Sequence, residues 1–200
     1  LLRDLFSPKA GNVEIGYDFE YVNQNQPRIG TRKAQFREIR GHHDEEFTLN
    51  RLHRLLASVA FTDRVSLELR LPFVSRSHAH IHRHQGADIL EAWDLQGWGD
   101  LSALIRTIFF KPSRLVYPTL SLLLGGEFPT GSHAERNDAG DYAEVGIQPG
   151  SNSTDWIVGL SSLQKFKAPM VRGGYSTLPV FASAMAHFNG PGTDEYRLGD

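Results

Sequence analysis

Hydrophobic and polar residues alternate one by one along several stretches of this chain. The clearest is 65–73, where Val65, Leu67, Leu69, Leu71 and Phe73 alternate with Ser66, Glu68, Arg70 and Pro72. Successive side chains of a strand point to opposite faces, so this pattern predicts a strand with one apolar and one charged face. Residues 13–21 repeat it, with Val13, Ile15, Tyr17, Phe19 and Tyr21 set against Glu14, Gly16, Asp18 and Glu20. Five further strands are predicted over 47–61, 101–110, 117–128, 156–166 and 178–188. The 47–61 stretch is the least regular. Arg51, His53 and Arg54 interrupt both faces, and Leu49, Leu52, Leu55, Leu56 and Val59 also fall near helical spacing. A strand is preferred there because the tight turn Thr62-Asp63-Arg64 and the cleanest strand follow directly.

The connections between these strands alternate in length. They are long at 23–46, short at 62–64, long at 75–100, short at 111–114, long at 129–155, short at about 167–169 and long from 189 onward. Transmembrane barrels have short turns at one end and long loops at the other. Aromatic residues also gather at the strand ends. Tyr21, Phe73, Trp98, Phe128, Trp156 and Phe188 mark the long-loop ends, and Phe61, Phe109, Phe110, Tyr117 and Phe166 the short-turn ends. Two such girdles are expected at two bilayer interfaces. The expected fold is therefore all-β, a single antiparallel up-and-down transmembrane β-barrel domain over 1–200. Its apolar faces meet membrane lipid and its polar faces line a lumen. The expected pore-lining residues are Glu14, Asp18, Glu20, Glu68, Arg70, Arg106 and Glu127. The other reading of these charges is that they pair with one another and fill a narrow barrel. Seven strands is an odd number, and bacterial barrels are usually even. The chain is thus expected to be C-terminally incomplete, in a full barrel of about 10 to 14 strands.

Composition narrows the choices further. A formal net charge of −2 gives no basic patch for nucleic acid. With no cysteine, disulfides and thiolate chemistry are excluded. No run approaches 18 apolar residues, so no membrane-spanning helix is expected. The opening LLRDLFSPKAGN lacks the basic and apolar regions of a signal peptide, so a mature form or a fragment is expected.

The sharpest local chemistry is His78, His80, His82 and His84. A spacing of two places all four on one face of an extended segment, and neutral imidazoles suit zinc, copper or nickel. His42, His43, Asp44 and Glu45 form a second cluster in the preceding long loop, on the same side by the alternation of loop lengths. The competing reading is a solvated loop whose histidines bind nothing, since alternate strand positions are about 6.5–7 Å apart. No cofactor is otherwise implied. Gly-x-Ser-x-Gly, His-Glu-x-x-His and P-loop motifs are absent, so no enzyme is expected. Ser58, Ser66 and Ser121 are serines of a kind any β protein carries.

The segments TDRVSLELRLPFV, GWGDL, GGEFPTG and PGSNSTDWIVGLS together resemble the bacterial outer-membrane family named for the MetA pathway of phenol degradation. That family's pattern is a strand ending in Leu-Pro, a Gly-x-Gly-Asp strand start, a Pro-Thr-Gly strand exit and a Pro-Gly-x-Gly-x-x-Asp strand start. The resemblance spans about 13–200. Asn152 departs from it, standing where glycine is usual; Asn tolerates positive φ best after Gly. The resemblance implies an outer-membrane barrel for passage of hydrophobic or aromatic compounds. Two other expectations stand beside it. One is a barrel that anchors or binds a protein partner in an envelope assembly, its His-rich loop holding metal. The other is a soluble all-β binding domain whose apolar faces pack on a second sheet.

Overall fold

A computed structural model of the chain describes residues 8–35, 38, 43–84, 87–113, 117–169 and 174–192. Among the described residues ten strands follow one another: β1 (Val13–Gln24), β2 (Arg28–Ile29), β3 (Arg32–Lys33), β4 (His43–Ala60), β5 (Val65–His84), β6 (Ala87–Trp98), β7 (Leu101–Phe110), β8 (Thr119–Phe128), β9 (Asp155–Pro169) and β10 (Tyr175–Phe188). One 3-10 turn, Val145–Ile147, interrupts the connection between β8 and β9. Among the described residues no helix is long and apolar enough to cross a membrane, which says nothing of strands.

The main sheet runs β1-β4-β5-β7-β8-β9-β10, with β6 on β5, and every pairing is antiparallel. β2 and β3 form a separate small hairpin. The fold is thus all-β and up-and-down, an antiparallel sheet curled into a half-barrel. The seven-strand path has the order expected from the alternation.

Register explains the two faces. Directly opposed residues of an antiparallel pair lie on the same face. One row across all seven strands reads Val13, Val59, Leu67, Ile105, Leu124, Val158 and Ala186. The adjacent row, one residue along, reads Glu14, Ser58, Glu68, Leu104, Gly125, Ile157 and His187. The first row is apolar throughout and belongs to the outer face; the second is mixed and belongs to the inner face. The outer face is open, with Ile15 82% exposed and Ile105, Leu124 and Leu160 about half exposed. The inner face buries Ser66, Glu68, Leu104, Arg106, Ile108, Ser121, Leu123 and Ser161.

The least regular stretch is a strand, and its interruptions have separate homes. His53 lies on the outer face in a row with Phe19, Phe73 and Trp98. Arg51 is exposed one step above it. Arg54 turns inward between Asp18 and Glu20. The rings of that row touch in sequence: Phe19–His53 centroids are 4.8 Å apart, His53–Phe73 6.5 Å, and Phe73–Trp98 5.2 Å edge-to-face. The Tyr17 hydroxyl adds a 2.7 Å contact to His53 Nδ1.

Several boundaries differ from expectation: β4 begins at His43, inside the expected 23–46 connection, so Glu45 lies on a strand rather than in a loop, and β10 begins at Tyr175. The 75–100 stretch is not a loop. Strand β5 runs on to His84, 20 residues in all, pairing with β6 from Phe73↔Trp98 to His84↔Ala87 on one side and with β4 from Leu52↔Val74 to His43↔His82 on the other, so the arm is three-stranded. Polar residues appear on both faces there because the outer positions change from Leu71 and Phe73 to Ser75 and Ser77, while strand pairing carries on regardless. Strand β9 likewise continues to Pro169, through the expected turn, with Lys167 and Ala168 paired to Thr177 and Ser176.

The 129–154 connection folds back onto the arm. Trp93, Leu95 and Ala143 form a buried cluster with Ile147 against it. The Trp93 indole N–H donates to the Asp141 carbonyl at 3.4 Å, and the Arg76 guanidinium to the Gly146 carbonyl at 3.3 Å. Gln148 closes the fold by donating to the Ala143 and Glu135 carbonyls and accepting from the Glu135 N–H.

Candidate functional site

All seven charged residues expected to line a lumen share the inner face. Glu14, Asp18 and Glu20 alternate along β1; Glu68 and Arg70 lie on β5, Arg106 on β7 and Glu127 on β8. Several of them pair across strands. Arg106 places Nε 2.8 Å and Nη2 2.7 Å from Glu68 Oε1, and donates to Ser161 Oγ at 3.4 Å. Ser161 stands in a row of small side chains with Ser121 and Ser183. Arg54, not singled out in the sequence as inward-facing, reaches Asp18 Oδ1 at 2.9 Å and also bonds Glu20. Arg70 stands 3.9 Å from Glu68, and Ser102 donates to Glu127 at 3.4 Å. Above these pairs, a cavity of about 180 Å³ is lined by Glu20, Val22, Asn50, Leu52, Val74 and Arg76.

The histidines of the arm are not equivalent. His78, His80 and His82 project to the inner side, with His78 opposite Trp93 and His80 opposite Glu91. His78 Nε2 and His80 Nδ1 are 3.1 Å apart. Glu45 Oε2 lies 3.5 Å from His78 Nε2, and the ligand atoms of Glu45, His78 and His80 all fall within 4.8 Å of one another. The rings thus close the 6.5–7 Å spacing of the backbone by turning toward each other. His82 instead places Nδ1 3.5 Å from Glu91 Oε1. The side chains of His84, His43 and Asp44, and all of His42, lie outside the described residues.

A β-bulge puts Glu45 there. Thr48 opposes His78 and Phe47 opposes Ala79, but the register then shifts so that Glu45 opposes His80. Such one-residue shifts re-aim side chains. The remaining ring nitrogens are engaged as well: His78 Nδ1 is 2.8 Å from Thr48 Oγ1, and His80 Nε2 is 3.1 Å from Glu91 Oε2. Trp93 packs on both rings, with centroids 5.1 Å from His80 and 6.1 Å from His78. His78 is buried and His80 is 0% exposed. Burial pushes the His78 imidazole below its ordinary pKa; Glu45 opposes this, His80 adds to it, Glu144 opposes it and Arg76 adds to it. A neutral imidazole keeps a lone pair for a metal. Thr48, Glu91 and Trp93 were not foreseen as parts of the site. The pairing of 78 with 93 and 80 with 91 would have exposed the last two, had the hairpin been read.

A third cluster sits where arm and main sheet meet. The Asp100 carboxylate accepts from the Gly131 N–H at 2.9 Å, the Ser151 N–H at 2.7 Å and the Ser151 hydroxyl at 2.8 Å. Asp155 accepts from the Ser153 hydroxyl at 2.8 Å and the Gly190 N–H at 2.9 Å. Both aspartates are buried. A Cβ on Gly131 would lie 2.7 Å from the Gly99 carbonyl carbon, and one on Gly150 2.8 Å from Gly131 Cα. Asn152 takes φ 55°, the left-handed conformation expected of an Asn in a glycine's place. GWGDL, PTG and PGSNSTD, far apart in sequence, are therefore one physical unit. No family model matches the chain, and no curated protein matches it.

Proposed function

We propose that the curled sheet is the wall of an outer-membrane β-barrel that gives passive passage to small hydrophobic or aromatic solutes. The observation that carries this reading is the unbroken apolar outer row from Val13 to Ala186, capped by the ring row Phe19, His53, Phe73 and Trp98. A face of this kind is costly in water and favourable in lipid, and rings with a polar edge suit the headgroup level. The span fits. From Val65 to Phe73 the outer face of β5 is apolar for nine residues, close to the 9–11 that a tilted strand needs. Above Phe73 it turns to Ser75 and Ser77, and the arm stands clear of the bilayer. The inner face mixes Leu104, Ile108 and Leu123 with charge pairs, a lining suited to solutes with an apolar body and one polar group.

The same inner face supports a second reading, a filled barrel that anchors an envelope assembly, because Arg54 and Arg106 already pair with Asp18, Glu20 and Glu68. One experiment orders these readings. The gene is expressed with an export signal, the envelope fractionated, and migration compared with and without boiling. Outer-membrane location with a heat-dependent shift is expected. Conductance in planar bilayers then separates channel from anchor. A protein soluble without detergent would sink both and leave the soluble binding domain.

A further inference from the structure

We infer that Glu45, His78 and His80 form a divalent transition-metal site, with zinc as its natural class of ion and Thr48 and Glu91 as its outer partners. The site stands on the arm, so this inference does not depend on whether the barrel conducts. The argument is first one of distance. Zinc binds imidazole nitrogen and carboxylate oxygen at about 2.0–2.2 Å, which places tetrahedral ligands about 3.3 Å from one another. The His78–His80 and His78–Glu45 ligand atoms stand at 3.1 and 3.5 Å. Two strands and a bulge hold them there before any ion arrives.

The second part of the argument is the outer shell. A metal-bound histidine normally donates its other N–H to an oxygen acceptor, which fixes tautomer and ring orientation. His80 Nε2 faces the Glu91 carboxylate at 3.1 Å, leaving the Nδ1 lone pair toward His78. His78 Nδ1 faces the Thr48 hydroxyl at 2.8 Å, and a hydroxyl accepts as readily as it donates. With the His78 proton on Nδ1 and the hydroxyl accepting, both inward nitrogens offer lone pairs to one ion. With that proton on Nε2, the same contacts form a hydrogen-bonded chain from Thr48 through both rings to Glu91. One tautomer shift within a neutral ring converts the ion-free arrangement into the ligating one, with no net change of protons. Two imidazoles and one carboxylate leave a fourth position open, and the exposed Glu45 gives the ion a way in from solvent.

The test uses the full chain purified in detergent micelles and stripped with chelator. Zinc chloride is titrated calorimetrically, and copper(II) is followed by quenching of Trp93 in a W98F/W156F background. One saturable site per chain is expected. His80→Asn should weaken zinc binding by more than about 100-fold, and Glu91→Gln by about 10- to 100-fold, the range for outer-shell partners. Glu45→Gln, at an exposed side chain, separates loss of a ligand from loss of folding and should also weaken binding more than tenfold. H82N/H84N should keep the affinity within about threefold. Failure to saturate, or equal loss in H82N/H84N and His80→Asn, would overturn the site in favour of a loose His-rich tract. A protein that binds zinc yet fails to conduct would leave this inference standing and remove only the channel.

Discussion

Arg106 and Glu68 form a buried charge pair on the inner face, and their energetics are asymmetric. Their mutual attraction offsets the cost of removing both from water, and little net stability need remain. Removing one partner is different, because it leaves the other charge buried. Arg106→Ala leaves Glu68 with Arg70, 3.9 Å away, as its nearest cation. It should lower stability by about 3–5 kcal/mol, read from urea unfolding of protein refolded in detergent, while R106M/E68M should come back to near the parent value. Equal losses in the single and double variants would show that the pair does not act as a unit. At this scale the sequence was legible in part. The parity of each charge followed from strict alternation. The pairing of Arg54 did not, because Arg51, His53 and Arg54 stand within four positions of one another and period two alone separates only odd from even. What separates Arg51 from His53 is height along the strand relative to the ring row, a quantity set by neighbouring strands.

Strand β5 shows what an element hides when its outer face changes from apolar to polar residues. Its alternation continues past Phe73, but contrast is lost once Ser75 and Ser77 replace leucines, so the arm reads as a loop. At about 3.3–3.4 Å per residue, 20 residues span roughly 66 Å, far more than the 25 Å apolar band of a barrel. The histidine geometry was lost with the arm, since His78, His80 and Glu91 are brought together by β5–β6 pairing and Glu45 by an unforeseeable bulge. The turn motifs behave in the opposite way. GWGDL, PTG and PGSNSTD were visible as short segments, and the buried Asp100 explains why they occur together. Three hydrogen bonds to one carboxylate hold β7 and both ends of the 129–154 connection. Hydrogen bonds to charged groups contribute about 1.5–3 kcal/mol each, so Asp100→Ala should free this connection. Limited proteolysis should cut within 129–154 at least about tenfold faster than in the parent, since 1.4 kcal/mol corresponds to a factor of ten. Unchanged cleavage would mean that Gln148 and the Trp93 cluster suffice to hold it.

For the molecule as a whole, the antiparallel order of the seven-strand path and its two faces were legible from the start, because alternate positions of every strand fall on opposite faces; the alternation of long and short connections was not kept, since 75–100 and 167–169 lie largely in strands. The question that remains physical is which solvent the apolar row meets. Ile105 lies at the middle of β7, in the row that runs from Val13 to Ala186, and is half exposed. Arginine at the midplane of a barrel's lipid face costs about 2–4 kcal/mol, falling to about 0–1 near the interface. Ile105→Arg, and likewise Leu124→Arg, should therefore lower the stability of protein folded into lipid vesicles by that larger amount. Gln96→Arg, on the outer face of the arm above the Phe73–Trp98 pair, should change it by no more than the smaller one. A soluble sheet reverses the order. There an arginine at Ile105 would meet water, remove exposed apolar surface, and leave stability unchanged while raising solubility. Stability in vesicles, measured for these three variants against the parent, thus reads the solvent directly: a loss confined to the two row positions places lipid on that face, and indifference at all three removes it.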